Sequence, residues 1–237
     1  MMMITENAEL HRAQRAFRSV LDAFAHPGAL CTIERAADNP VRPAALDGAL
    51  ESVVRLFVDQ AVTFSVVDAE PDATAAYLTG ETHAMRFPVR EADFVVVPAR
   101  ADVQLVAEAV LEACRGTLVA PEKGATVLMG CARLATPEQA AAGGEPALHV
   151  VEVRGPGVAD VNRFAVDRVE WARARAARHD EFPCGVEIVL VDGEGNLVAV
   201  PRSSQVTLAG EDASVGEASM PDRVAAPSEP CLVGEAR

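Results

Sequence analysis

Aromatic side chains are scarce in this sequence, at 4% of the residues with one tryptophan and one tyrosine. A 237-residue chain must then fill its core with Ala, Val and Leu, which suits α/β layering better than a ligand-stacking surface. Lysine is scarcer still, since Lys123 is the only one. No Gly-x-x-x-x-Gly-Lys-Ser/Thr occurs, so a standard P-loop is excluded. No Cys-x-x-Cys occurs either, which leaves no iron–sulfur ligand spacing and no place for a radical cleavage step. The five cysteines, Cys31, Cys114, Cys131, Cys184 and Cys231, are an odd number at wide spacing. They form no disulfide framework, and reduced thiols are the expectation. His11, His26, His83 and His149 lack zinc-ligand spacing, so no metal site is expected. Residues 1–7 carry no basic n-region, and no apolar run approaches membrane-spanning length. The expectation is a cytoplasmic protein with no membrane contact.

Positive charge is also in deficit. The formal net charge is −14, of which residues 206–237 carry −4 and the body −10. An acidic body repels polyanions, and no nucleic-acid-binding motif argues the other way.

Along the chain, residues 8–24 place Leu10, Ala13, Phe17, Val20, Leu21 and Phe24 at the spacing of an amphipathic helix, ended by Pro27-Gly28. A second helix is predicted over 49–57 and a strand over 61–67. A short helix follows from Pro71 to Leu78, stopped by Gly80. Residues 94–97 read as a strand and 103–114 as a helix. Residues 124–129 and 148–153 read as two strands that pair with each other, separated by an Ala/Gly-rich loop at 137–146. Residues 166–178 read as a charged helix with Val169, Trp171 and Ala172 inward and four arginines on or near its surface.

The most distinctive stretch is 181–205. Residues 186–191 are wholly aliphatic but for Glu187, residues 192–196 are turn formers, and 197–200 form a second apolar run closed by Pro201. This is a β-hairpin. A sheet with one wet face would alternate apolar and polar residues, so the hairpin belongs inside a sheet covered on both faces. Past Thr207 the composition turns to Gly, Ser, Ala, Pro and acid without periodicity. The expected organisation is one α/β domain over 1–205, three-layer α/β/α with a mixed central sheet, and an acidic disordered tail over 206–237.

Phe182-Pro183-x-Gly185 leading into this hairpin, with its close in Val200-Pro201-Arg202-Ser203-Ser204-Gln205, resembles the C-terminal signature of the PhnH family. Three further collinear pieces resemble the same family. They are Phe17-Arg18-x-x-Leu21-x-x-Phe24-x-x-Pro27-Gly28, then Gly116-Thr117 with Pro121-x-x-Gly124-Ala125-Thr126, and Gly155-Pro156-Gly157. The resemblance implies a subunit of the bacterial carbon–phosphorus lyase system, working with the core subunits PhnG, PhnI and PhnJ. In that system an ATP adenine is displaced by a phosphonate, making a ribose 1-phosphonate 5-triphosphate. It also implies a homodimer, and a core like that of pyridoxal-phosphate-dependent transferases without the cofactor site.

That scaffold likeness raises pyridoxal phosphate, which needs a desolvated lysine for its Schiff base. Lys123 lies in the turn Pro121-Glu122-Lys123-Gly124 and would be solvated, so no cofactor is expected. Gly193-x-Gly195 sits between two strands rather than before a helix and reads as turn chemistry. His179 and Cys184 could form a base and nucleophile pair. The competing reading is a polar helix end followed by a small buried thiol. Arg202, just past the last strand, and Arg18, on the first helix, are the candidate anion ligands, since guanidinium forks suit phosphonate and phosphate. The competing reading for each is a structural ion pair. Two functions follow: a PhnH-like subunit that shapes or completes a site, or a free-standing small-molecule enzyme using Lys123 or the 179–184 region.

Overall fold

The computed structural model describes residues 2–144 and 146–210. Its architecture follows from the two-sided burial of the hairpin. β9 (Glu187–Asp192) and β10 (Asn196–Val200) pair antiparallel, with Leu197 opposite Val191 and Val200 opposite Ile188. Side chains alternate across a strand, so Ile188, Leu190, Val198 and Val200 enter one core, and Val189, Val191, Leu197 and Ala199 enter another. Parallel strands β5 (Thr126–Cys131), β4 (Phe94–Val97) and β2 (Thr63–Val66) extend the sheet beyond β9. The short β1 (Cys31–Thr32) and β3 (Met85–Arg86) complete seven strands in the order β1-β10-β9-β5-β4-β2-β3. This is a mixed sheet, as strands alternating with helices together with an antiparallel hairpin predict.

Helices α1 (Met2–Ala25), α2 (Gly48–Phe57) and α3 (Pro71–Thr82) cover one face. The opposite face departs from the expected helix layer. Among the described residues only α4 (Val103–Glu112) and α6 (Glu170–Ala177) lie there, beside a second, four-stranded antiparallel sheet. That sheet contains β6 (Leu134–Ala135), β7 (His149–Arg154), β8 (Asn162–Val166) and β11 (Gln205–Leu208), in the order β11-β7-β8-β6. The expected pairing of 148–153 with 124–129 does not form, because both edges of β5 are taken by β4 and β9. β7 pairs instead with β8 and β11. Its Val151 and Val153, with Phe164 and Trp171, fill the core between the two sheets. Pro27-Gly28 is tucked into the same junction. Gly28 has φ +77, and a Cβ there would lie 2.8 Å from Val153, so only glycine fits that turn.

Other expectations need revision. The helix from Pro71 runs through Gly80 to Thr82 and ends on His83 at φ 59. Gly80 faces open space, where it lowers helix propensity by about 1 kcal/mol but disrupts no packing. Val166, read as the start of the charged helix, closes a strand over Asn162–Val166 instead, and α6 begins four residues later, at Glu170. The loop at 137–146 contains a short helix, α5 (Pro137–Ala141), started by a reciprocal Thr136/Gln139 capping box. On α1, Ala16, Val20 and Ala23 face the core, while Leu10, Phe17 and Leu21 stand 53–55% exposed. The apolar positions of this helix therefore serve two faces. Cys31, Cys131 and Cys184 are free thiols, but Cys114 is disulfide-bonded, contrary to the expectation of reduced thiols throughout.

The boundary drawn after Gln205 cuts through β11, whose Val206 and Leu208 pack on the core. The composition there resembles the tail, but the pairing of 205–208 with 151–154 adds a ladder that composition does not reveal. The remainder of the expected tail, 211–237, lies outside the described residues. Truncation after Gln205 is expected to lower Tm by about 5 °C relative to truncation after Gly210, since losing one edge strand of this size costs about 2 kcal/mol. Paired thermal melts of the two truncations check this, and equal Tm values would contradict it.

Candidate functional site

The segment from α6 into β9 and the segment from β10 into β11 run side by side, and arginines join them. α6 buries Trp171, whose ring stacks on Phe164 with centroids 6.5 Å apart. Arg175 and Arg178 follow Trp171 at i+4 and i+7, which puts them on the inward side of the helix. Arg175 Nη2 donates to the carbonyls of Pro201 (2.8 Å), Arg202 (3.0 Å) and Ser204 (3.0 Å). Burial pulls its pKa below the ordinary guanidinium value, against the opposing charges of Glu187 and Asp180. Arg178 Nη1 donates to the carbonyls of Val110, Leu111 (3.0 Å) and Ala113 (2.9 Å), and its Nε to Asp180 Oδ2 (2.6 Å). It thus satisfies the carbonyls left open at the end of α4.

After Arg178 the chain turns sharply at His179 (φ 48), passes the cis Phe182–Pro183 bond and enters β9 through Gly185. Gly185 N donates to Arg115 O at 2.9 Å. A Cβ on Gly124 would lie 2.4 Å from Gly185 O, so glycine at 124 lets the 115–124 loop cross this segment. Arg202 closes the arrangement. Its N–H and Nε donate to the two oxygens of Glu187 at 2.9 and 2.7 Å, and its Nη1 to Pro121 O.

These segments enclose a cleft of about 210 Å³ lined by Arg175, His179, Asp180, Cys184, Arg202 and Ser204, with Ala172, Ala176, Val186 and Val206 as apolar wall. A second hollow of about 380 Å³ shares His179 and Cys184 and reaches Arg115, Leu118 and Glu181. Three of the residues singled out from sequence, His179, Cys184 and Arg202, therefore meet in one place. Arg18 does not join them, since it is exposed on α1, which packs on the opposite face of the large sheet. Lys123 is exposed in a 3-10 turn at Pro121–Lys123. No hydrogen bond joins His179 to Cys184 among the described residues, whereas Arg202 makes the structural ion pair weighed against its role as a ligand. The two other free thiols are held protonated: burial and the Asp22 carboxylate raise Cys31, and burial, then the Asp167 charge, raises Cys131 strongly.

Sequence reasoning missed Arg175 and Ser204. Ser204 is 6% exposed and its Oγ has no hydrogen-bond partner among the described residues. The spacing of Arg175 from Trp171 was the available signal. Among the described residues no group of three or more His, Cys, Asp or Glu could hold a metal ion, and no helix is long and apolar enough to cross a membrane.

Removing the Arg178 side chain leaves Asp180 and three carbonyls at the end of α4 without their donor, at a cost of about 3 kcal/mol. Arg178→Ala is expected to lower Tm by about 10 °C, and a melt within 2 °C of wild type would contradict this role.

Comparison with known proteins bears on the same segments. The chain is 29% identical over 203 residues to the "Putative C-P lyase subunit protein HtxG" of Stutzerimonas stutzeri, covering 84% of this chain and 88% of that protein. A family model described as "Bacterial phosphonate metabolism protein (PhnH)" matches residues 6–207, from α1 through β11 and across every segment that lines the cleft. The chain belongs to the PhnH family of bacterial phosphonate metabolism proteins.

Proposed function

We propose that this chain is a cytoplasmic subunit of a carbon–phosphorus lyase core assembly. In this reading it acts with PhnG, PhnI and PhnJ as a phosphonate oxygen displaces adenine from C1′ of ATP, giving a ribose 1-phosphonate 5-triphosphate. The observation that carries the reading is the family match across residues 6–207, reinforced by the likeness to HtxG, named as a putative C-P lyase subunit. The local chemistry agrees with a contributing subunit. The arginines at the cleft are engaged largely with backbone carbonyls and carboxylates, and His179 and Cys184 lack the mutual hydrogen bond of an activated nucleophile. Kinship of the scaffold with pyridoxal-phosphate-dependent transferases, without their cofactor, belongs to the same proposal.

The chain is expected to act as a two-fold dimer. Leu10, Phe17 and Leu21 lie at i, i+7 and i+11 on α1 and are more than half exposed, an apolar stripe suited to an isologous helix contact. Phe17→Glu combined with Leu21→Glu is expected to convert the dimer to monomer in analytical ultracentrifugation. A wild-type protein that sediments as a monomer would contradict the dimer.

The functional test supplies ATP, magnesium and methylphosphonate to the purified chain alone and then to the chain with PhnG, PhnI and PhnJ. Stable co-purification and adenine release by the mixture alone are expected. Adenine release by the isolated chain would instead favour the free-standing enzyme, for which the shared cleft of His179 and Cys184 is the supporting feature.

A further inference from the structure

The guanidiniums at the cleft differ in one respect. Arg202 is paired with Glu187, and Arg178 with Asp180. Arg115 lies 3.9 Å from the other oxygen of Asp180. Arg175 has no carboxylate within 4.0 Å among the described residues, although it is the arginine whose pKa burial depresses. One of its nitrogens, Nη2, takes all three carbonyls. Nε and Nη1 have no protein acceptor among the described residues, and neither is sealed from solvent. The nearest carboxylates, Glu187 and Asp180, act on it only at a distance and are already paired with Arg202 and Arg178. A half-buried cation with no carboxylate in direct contact is costly unless something else supplies that contact.

A second observation lies in the same wall. Ser204 is buried and its hydroxyl is orphaned, which is rare for a buried polar atom. Its backbone carbonyl is one of the three that fix Arg175, so the orphaned hydroxyl and the unpaired guanidinium are held next to each other. The surrounding charge has the same sense. Arg175, Arg202 and Asp180 line the cleft, Arg178 and Arg115 pair with Asp180 and Glu187 pairs with Arg202 behind that lining, and Glu181 stands exposed at the rim of the adjoining hollow. This local positive excess sits in a chain of net charge −14.

We propose that the cleft between α6 and the β10–β11 connection is an oxyanion site, with Arg175 as the charge anchor and the Ser204 hydroxyl, sealed from solvent as it stands, turning about its Cα–Cβ bond onto the anion as a second donor. At about 210 Å³ it holds the volume of roughly seven waters. It therefore admits an oxyanion together with a small organic group against Ala172, Ala176, Val186 and Val206. The ligand class is a small organophosphorus anion, either a phosphonate or a phosphate monoester. The site rests on the cleft geometry and stands whether or not the chain joins a lyase assembly.

Isothermal titration of the full-length protein with methylphosphonate, methyl phosphate, inorganic phosphate and acetate tests it. Methylphosphonate and methyl phosphate are expected to bind at least tenfold more tightly than acetate, and the ratio between them tells which source the site prefers. Ser204→Ala, which leaves the Arg175 anchors in place, is expected to weaken both about tenfold. Arg175→Lys should weaken them further, while Arg35→Ala, which removes one exposed positive charge elsewhere, should change them less than twofold. If Arg175→Lys fails to fold, Ser204→Ala and the acetate comparison still decide. Equal affinity for acetate and methylphosphonate, wild-type affinity in Ser204→Ala, or no heat from any organophosphorus anion at 10 mM would overturn the site.

Discussion

Burial of the β9–β10 hairpin on both faces is the constraint from which the rest of the molecule follows. Eight of its side chains split evenly between two cores, and at roughly 25 cal/mol per Å² of apolar surface removed from water this burial requires a complete layer on each side. Helices α1 to α3 supply one layer. On the other side two helices are too few, and the second sheet fills the gap. Every strand that enters or leaves the hairpin must then cross the edge of a dry interior, where its backbone carbonyls need donors.

Arginine provides those donors. Arg175, Arg178 and Arg202 together satisfy seven backbone carbonyls drawn from α4, the 121 turn and the 201–204 connection. A guanidinium suits this work because it presents five N–H groups in a fixed fork and keeps its charge when partly buried. The same choice has an electrostatic consequence. Each arginine used in place of a neutral donor leaves a positive charge at the strand ends, and two carboxylates offset only part of it. An acidic protein thereby acquires one place where an anion is favoured. The segments through which the PhnH likeness was first legible, 182–185 and 201–205, are the ones that line this place, which connects the family to the chemistry of the cleft.

Much of this was legible in the sequence, and for stated reasons. Strands buried on both faces announce themselves as unbroken aliphatic runs, which is why 94–97 and 186–200 were readable. β7 was readable as a strand but not in its pairing, because partner choice depends on which edges remain free after β4 and β9 take β5. β8 mixes polar and apolar residues without a period, and the alternation Gln205-Val206-Thr207-Leu208 of β11 spans only four positions at the start of a tail-like composition. At the site, the meeting of His179, Cys184 and Arg202 followed from their flanking the hairpin. Arg175 was hidden by the habit of reading a charged helix position as solvated, although its spacing from Trp171 placed it inward. Arg18 failed for the converse reason: a motif residue on α1 lies across the sheet from the cleft.

The central claim is that phosphonate chemistry in this family member passes through the cleft anchored by Arg175. Its most direct measurement is growth of a strain whose own copy is replaced by Arg175→Lys, with protein abundance matched to wild type by immunoblot. The account predicts normal growth on inorganic phosphate and lost growth on methylphosphonate as sole phosphorus source. Wild-type growth on methylphosphonate at matched abundance would contradict it.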